Sequence, residues 1–236
     1  KIPQLISGNR LEHDAISDKG WYTRSIGDHC QIFEDFIGFG ELPTAGSGFV
    51  LHDGDAGTNA TIYNDEACGS YKLLTSTDAS VKEVAVMTAS VIPGNKKPIF
   101  EARVKITDTG TRTNDIVIIG LVDDRHDTID TISHAAIFRF GGDQNILVET
   151  DDDTTNTDDQ DTGVDYVSGT YVKYKIDMTD ITAVQFYVDD VNVTPSTGMS
   201  MADIGSTLLR PIVEVQSASG QVHQADIDYI SVLWER

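Results

Sequence analysis

Two runs of carboxylates carry most of the chemistry this chain can offer. Asp123-Asp124-Arg125-His126-Asp127-Thr128-Ile129-Asp130 and Asp151-Asp152-Asp153-Thr154-Thr155-Asn156-Thr157-Asp158-Asp159-Gln160-Asp161 are rich in the oxygen ligands that Ca²⁺ takes in sets of six to eight. Neither has the Asp-x-Asp-x-Asp-Gly spacing of an EF-hand loop, and runs of like charge read first as solvated loops. The six histidines, His13, His29, His52, His126, His134 and His223, contain no His-x-x-x-His pair, so zinc is not expected. No Gly-x-Ser-x-Gly elbow is present to expose a nucleophilic serine. Trp21, Tyr22, Tyr63, Tyr71, Tyr166 and Tyr171 are candidates for a sugar-stacking platform, although aromatic residues in strands more often fill a core. Asn59-Ala60-Thr61 and Asn192-Val193-Thr194 match the glycosylation triplet, a pattern short enough to arise by chance.

The charge balance narrows the partners. With 38 Asp and Glu against 17 Lys and Arg, the net charge is -21 and the pI near 4.3, which argues against nucleic acid and anionic membrane. Solubility accounts for such a charge, as do divalent-cation binding and life in salty water that screens self-repulsion. Cys30 and Cys68 are too few for a disulfide framework and are either free thiols or one bridge. No apolar run approaches the roughly 20 residues that span a bilayer. Lys1-Ile2-Pro3-Gln4 has no signal-peptide character and no initiating Met, which fits a secreted mature protein or a cleaved structural one.

The elements that must position these groups are strands. Phe100, Ala102, Val104 and Ile106 alternate with Glu101, Arg103 and Lys105, and Val172, Tyr174, Ile176 and Met178 alternate with Lys173 and Lys175. That two-residue period makes strands with one wet face. Ile116-Val117-Ile118-Ile119-Gly120-Leu121-Val122 does not alternate and should be covered on both faces, by a second sheet on one side and by loops or a partner on the other. Residues 135–141 and 145–150 predict a hairpin through Gly141-Gly142-Asp143, followed by an acidic loop over 151–165. The closing strand, from Ala225 to Trp234, is apolar on both sides, with Ile227, Tyr229 and Leu233 on one face and Ile230, Val232 and Trp234 on the other. It should therefore lie centrally. A short helix fits only at 199–206. Short strands about ten residues apart, with Gly- and Asp-rich turns between, predict an all-β, antiparallel two-sheet sandwich over 32–236. Residues 1–31, polar and without a period, read as an N-terminal arm or docking segment.

Four segments carry a family likeness. Phe100-Glu101-Ala102-Arg103-Val104-Lys105, Phe186-Tyr187-Val188-Asp189-Asp190, Leu209-Arg210-Pro211-Ile212-Val213 and Asp226-Ile227-Asp228-Tyr229-Ile230-Ser231-Val232 resemble, in order, strands of concanavalin A-like jelly rolls of the laminarinase-type family 16 glycoside hydrolases. The resemblance implies a jelly roll and, with it, a structural Ca²⁺ near the N-terminal segment and last strand, for which Asp53, Asp55 and Asp228 are the candidates. It does not imply the activity. A retaining glycosidase needs two carboxyl groups about 5 Å apart, which that family supplies from a Glu-x-Asp-x-x-Glu strand. Here the corresponding strands read Asp115-Ile116-Val117-Ile118-Ile119 and His134-Ala135-Ala136-Ile137-Phe138-Arg139-Phe140, without such a run.

The polar N-terminal lead, the Phe33-Glu34-Asp35-Phe36 opening, the Phe100 to Lys105 strand, Asp161-Thr162-Gly163 before a Tyr-rich strand, and the Asp228-Tyr229-Ile230-Ser231-Val232 ending with Glu235-Arg236 also resemble, in overall style, virion surface proteins of tailed phages. That likeness implies a non-enzymatic capsid decoration or cement protein on the virion surface. Its partners would be a major capsid protein and further copies of itself, a trimer being the expected homo-oligomer, driven by the uncovered 116–122 strand. The alternative is a secreted, carbohydrate-binding lectin-like module or adhesin with a glycan partner, ahead of a polysaccharide-degrading enzyme. No catalytic residue is assigned.

Overall fold

The structure, a computed structural model, describes residues 21–26, 29–34, 49–53, 59–63, 70–75, 82–108, 116–141, 144–217 and 222–236. Two antiparallel sheets account for nearly all of them. The first runs in spatial order β1 (Trp21–Ile26), β2 (His29–Glu34), β17 (His223–Glu235), β8 (Ile99–Asp108), β13 (Tyr171–Asp177), β14 (Gln185–Val188) and β15 (Val191–Asn192). Beside β17 lies β5 (Ser70–Leu74), paired in turn with β4 (Asn59–Tyr63). The second runs β12 (Asn156–Asp165), β11 (Asn145–Asp152), β10 (His134–Gly141), β9 (Ile116–Val122), β16 (Leu208–Ser217), β6 (Lys82–Thr88) and β3 (Phe49–Asp53), with β7 (Ile92–Pro93) on β16. This is the two-sheet jelly-roll sandwich expected.

The alternating strands behave as their period requires. Phe100, Ala102, Val104 and Ile106 are buried from β8, and Val172, Tyr174, Ile176 and Met178 from β13 and the residue after it. They meet Val117, Ile119, Leu121, Ala136, Phe138 and Phe140 of the second sheet in one core. Phe138 stands edge-on to Phe186 at 5.3 Å, and Phe140 edge-on to Tyr174 at 5.3 Å and Tyr166 at 5.4 Å. Edge-to-face rings at such distances add stabilisation beyond the area they bury.

The closing strand is central, flanked by β2 and β8, but its phase differs from strict alternation. Ile227 lies opposite Val104 and Tyr229 opposite Arg103, leaving Asp228 as the extra residue of a β-bulge. One inserted residue inverts the two-residue period. Ile227 is therefore buried with Ile230, Val232 and Trp234, while Tyr229 and Leu233 are half-exposed on the other face.

The boundary expected at residue 31 falls within β2: residues 21–26 and 29–31 belong to strands and β2 pairs with β17, while residues 1–20 of the expected arm or docking segment lie outside the described residues. Two expectations need correction. The acidic stretch 151–165 is not a loop. It completes β11, turns over 153–155 and returns as β12, an edge strand with register shifts against β11. Four aspartates (Asp158, Asp159, Asp161 and Asp165) on an irregular edge discourage pairing with another chain. Residues 199–206 form hydrogen-bonded turns rather than a helix, through Ile204 N–H to Met201 O and Thr207 N–H to Ile204 O. Pro211 sits inside a strand because β6 pairs from Ile212 onward and β7 only with Leu208 and Leu209, so its missing N–H falls between two partners.

Candidate functional site

β9 is buried on both faces, and its own chain provides both covers. Val117, Ile119 and Leu121 enter the main core. Ile118 and Val122 join Ala85, Met87, Ala135, Ile137 and Ile212 in a second cluster on the outer face of the second sheet, capped by Ile129 and Ile132 of the loop 123–133. The first acidic run is thus the lid of this face. The strand that was expected to call for a partner is closed within one chain.

Several polar ties hold that loop. His134 Nδ1 lies 2.9 Å from Asp123 Oδ2, Ser90 donates its hydroxyl to Asp123 O at 2.9 Å, and Arg210 lies 3.3 Å from Asp124. Arg125 reaches back to Glu214 Oε1 at 3.2 Å and to Asp127 at 2.7 Å. Gln216 also donates to Glu214 Oε1, at 2.9 Å. Arg139, on β10, takes Asp130 of the loop at 2.7 Å, Asp159 of β12 at 3.0 Å and Glu149 of β11 at 3.5 Å, all through Nη1. Glu149 is only 1 % exposed, and burial pushes its carboxyl up to about 7 despite Arg139, with Asp158, Asp159 and Asp130 raising it further.

Beside this network a shallow, open pocket of about 200 Å³ lies between the lid and the β11–β12 turn, lined by Asp130, Thr131, Ile132, Ser133, Asp151, Asp153, Thr154 and Asn156. The β11–β12 turn on one side of it is held by Asp152, whose Oδ1 accepts from Thr155 N–H at 2.7 Å and Thr154 N–H at 3.2 Å and whose Oδ2 accepts from Asp203 N–H at 3.0 Å. Burial opposes the charge of Asp152, but those three donors outweigh it and hold the carboxyl below its ordinary value. Asp151, in the pocket wall, is raised by burial.

The strands where the glycosidase resemblance places its acids are β9 and β10. On the outer face β9 carries Ile118 and Val122 and β10 carries Ala135, Ile137 and Arg139, the four aliphatic residues fully buried beneath the lid. Methyl groups and a guanidinium cannot protonate a glycosidic oxygen.

The calcium candidates are not brought onto one sheet. Asp228 Oδ2 lies 2.6 Å from Arg103 Nη1 in the first sheet, a guanidinium that already balances its charge. Asp53 ends β3 in the second, and Asp55 lies outside the described residues. Among the described residues, no three or more His, Cys, Asp or Glu are placed to hold a metal ion. Of the aromatic candidates, Tyr71 and Tyr166 are core residues. Tyr171 is half-exposed, but its ring has Arg103 at 4.6 Å and Lys105 at 4.7 Å from its centroid. Cys30 is a free thiol, and Cys68 lies outside the described residues. Glu149 and Glu214 were missed in the sequence. Their signal is a carboxylate inside an apolar strand, Val148-Glu149-Thr150 and Val213-Glu214-Val215.

Neither a family model nor a curated protein matches the sequence. Solved structures do match the fold. A protein of unknown function from Shewanella oneidensis MR-1 is similar at 16% identity and TM-score 0.63, covering 100% of this chain and 97% of its own. A GH16 enzyme from Bacteroides ovatus, solved with its product, is similar at 12% identity and TM-score 0.58, covering 85% and 98%. The carbohydrate recognition domain of Emp47p is similar at 10% identity and TM-score 0.52, covering 85% and 93%. The fold is therefore the concanavalin A-like β-sandwich found in both glycoside hydrolases and lectin domains.

Proposed function

We propose that this protein is a non-catalytic, glycan-binding β-sandwich of the lectin type. The observation that carries this proposal is the outer face of β9 and β10: where the hydrolase resemblance calls for paired acids, these strands present Ile118, Val122, Ala135, Ile137 and Arg139 under a lid made by the same chain. The sugar seat is the open pocket beside that lid. Asp130, Ser133, Asp151, Thr154 and Asn156 offer it the fixed hydrogen-bonding groups that orient a ligand rich in hydroxyls. A glycan array tests this directly: wild type should bind a defined set of glycans, and Asp151→Ala and Asn156→Ala should each lose that binding while keeping the wild-type melting temperature. Binding unchanged in both variants would rule the pocket out.

A second role, decoration or cementing of a viral head, is favoured by one observation, the acidic β11–β12 side, which fits a basic lattice of capsid subunits. The argument from an uncovered β9 does not support it, because that strand is covered within the chain. Native mass measurement separates the roles. A symmetric oligomer, such as a trimer, that cosediments with capsids favours decoration, and a monomer that binds glycan favours the lectin role.

A further inference from the structure

We infer that the loop 123–133 is a proton-sensitive latch, gripped most tightly when Glu149 is neutral, and that it thereby sets how well formed the neighbouring pocket is. The pocket's sugar-binding role is taken from the function proposed above; the latch itself stands on geometry. Arg139 Nη1 is a single nitrogen with two hydrogens, and it faces three carboxylates from three elements: Asp130 of the loop at 2.7 Å, Asp159 of β12 at 3.0 Å and Glu149 of β11 at 3.5 Å. Two hydrogens cannot serve three acceptors well, and the longest contact belongs to the most deeply buried carboxylate.

The groups around Glu149 are Arg139 on β10, Asp130 on the loop, and Asp158 and Asp159 on β12. When Glu149 is ionised, one cation lies among four anions, and Glu149 competes with Asp130 for Arg139 while repelling it. When Glu149 takes up a proton, Arg139 is left to Asp130 and Asp159, the two partners it already holds at the shorter distances. Asp130 is the first residue of the pocket wall that continues through Thr131, Ile132 and Ser133, so the grip on one carboxylate is transmitted to the site. The carboxyl of Glu149, raised to about 7, places this change near neutral pH. The other titratable and charged groups facing the loop are His134, 2.9 Å from Asp123 at its start, His126 within it, whose Nδ1 lies 2.6 Å from Thr131 Oγ1, Glu214 of β16, 3.2 Å from Arg125, and Arg210, 3.3 Å from Asp124.

Hydrogen exchange of the Thr131 and Ile132 amides reads the latch, because their N–H groups donate to Thr128 O and Ile129 O within the loop, at 3.0 and 2.9 Å. After correction for intrinsic rates, their protection in wild type should be roughly tenfold or more higher at pH 5.5 than at pH 8, the size that one pKa unit of coupling gives. Glu149→Gln should keep the high value at both pH values. Asp130→Asn, which cuts the loop side, should lower protection and remove its pH dependence. Loop protection in wild type that stays constant while core amides lose theirs would show that the charge is tolerated with the loop shut, and would overturn the latch. So would a Glu149→Gln variant that keeps the wild-type pH dependence. Neither readout requires a glycan, so failure of the latch and failure of the sugar site are told apart.

Discussion

Replacing Glu149 with Gln should stabilise the protein at pH 8 and leave it unchanged near pH 4.5. The substitution keeps the shape and removes the charge. Glu149 is 1 % exposed, and its carboxyl is raised from 4.5 to about 7 by burial first, against Arg139, and then by Asp158, Asp159 and Asp130. A carboxyl raised in the folded state binds its proton more tightly there than in the unfolded chain. Its contribution is therefore fully present below the unfolded value and is lost as pH rises through the folded one. The window runs from about pH 4.5 to about pH 7, and the full span is worth roughly 3 kcal/mol, an upper figure because the site relaxes around a buried charge. Urea unfolding at pH 5, 6, 7 and 8 measures it. Wild-type stability should fall across that range, and the Glu149→Gln variant should lose most of the fall and exceed wild type by about 2–3 kcal/mol at pH 8. A variant weaker than wild type at pH 8 would mean that the ion pair with Arg139 outweighs burial, and the reasoning would fail.

Arg139→Met should be the damaging counterpart, costing about 3 kcal/mol or more at pH 8 because it leaves Glu149 buried beside unbalanced carboxylates, and less at pH 5; the same urea series checks it. Gly120→Ala should cost about 2–3 kcal/mol by thermal unfolding, since a Cβ there would stand 2.3 Å from Ala136 O and 2.8 Å from the Ile137 Cα, backbone that cannot give way. Replacing Asp158, Asp159 and Asp161 together with Asn removes the charge that guards the β12 edge, and light scattering should report self-association that wild type does not show. Asp228→Asn, which loses an ion pair with a partly exposed arginine, should cost no more than about 1 kcal/mol, and EDTA should leave the wild-type melting temperature unchanged.

What was legible in the sequence followed from period and length. The alternation of Phe100 to Ile106 and of Val172 to Met178 defined strands with one buried face, and the unbroken apolar run of β9 required two covers, which it has. The bulge at Asp228 was not legible, because an inserted residue leaves no mark on composition yet inverts every side chain beyond it. β12 was hidden for the opposite reason: its aspartates carry the composition of a solvated loop, and only pairing with β11 makes it a strand. The site was the least visible part. In the sequence the acidic runs read as solvated loops first and as ligand sets second, whereas their structural use is as a lid and an edge bound to Arg125 and Arg139, partners 89 residues away from Glu214 in one case and 9 to 20 residues apart from their acids in the other. Such pairings are set by strand order, which no local pattern encodes.

The central claim is that this sandwich binds sugar without cutting it. Incubating the protein with a panel of polysaccharides and measuring, on each sample, both the fraction bound and the new reducing ends tests that claim most directly. Saturable binding to at least one polysaccharide with no reducing ends above the protein-free control is the predicted result. Chain cleavage that grows with protein concentration, or no binding anywhere in the panel, would contradict it.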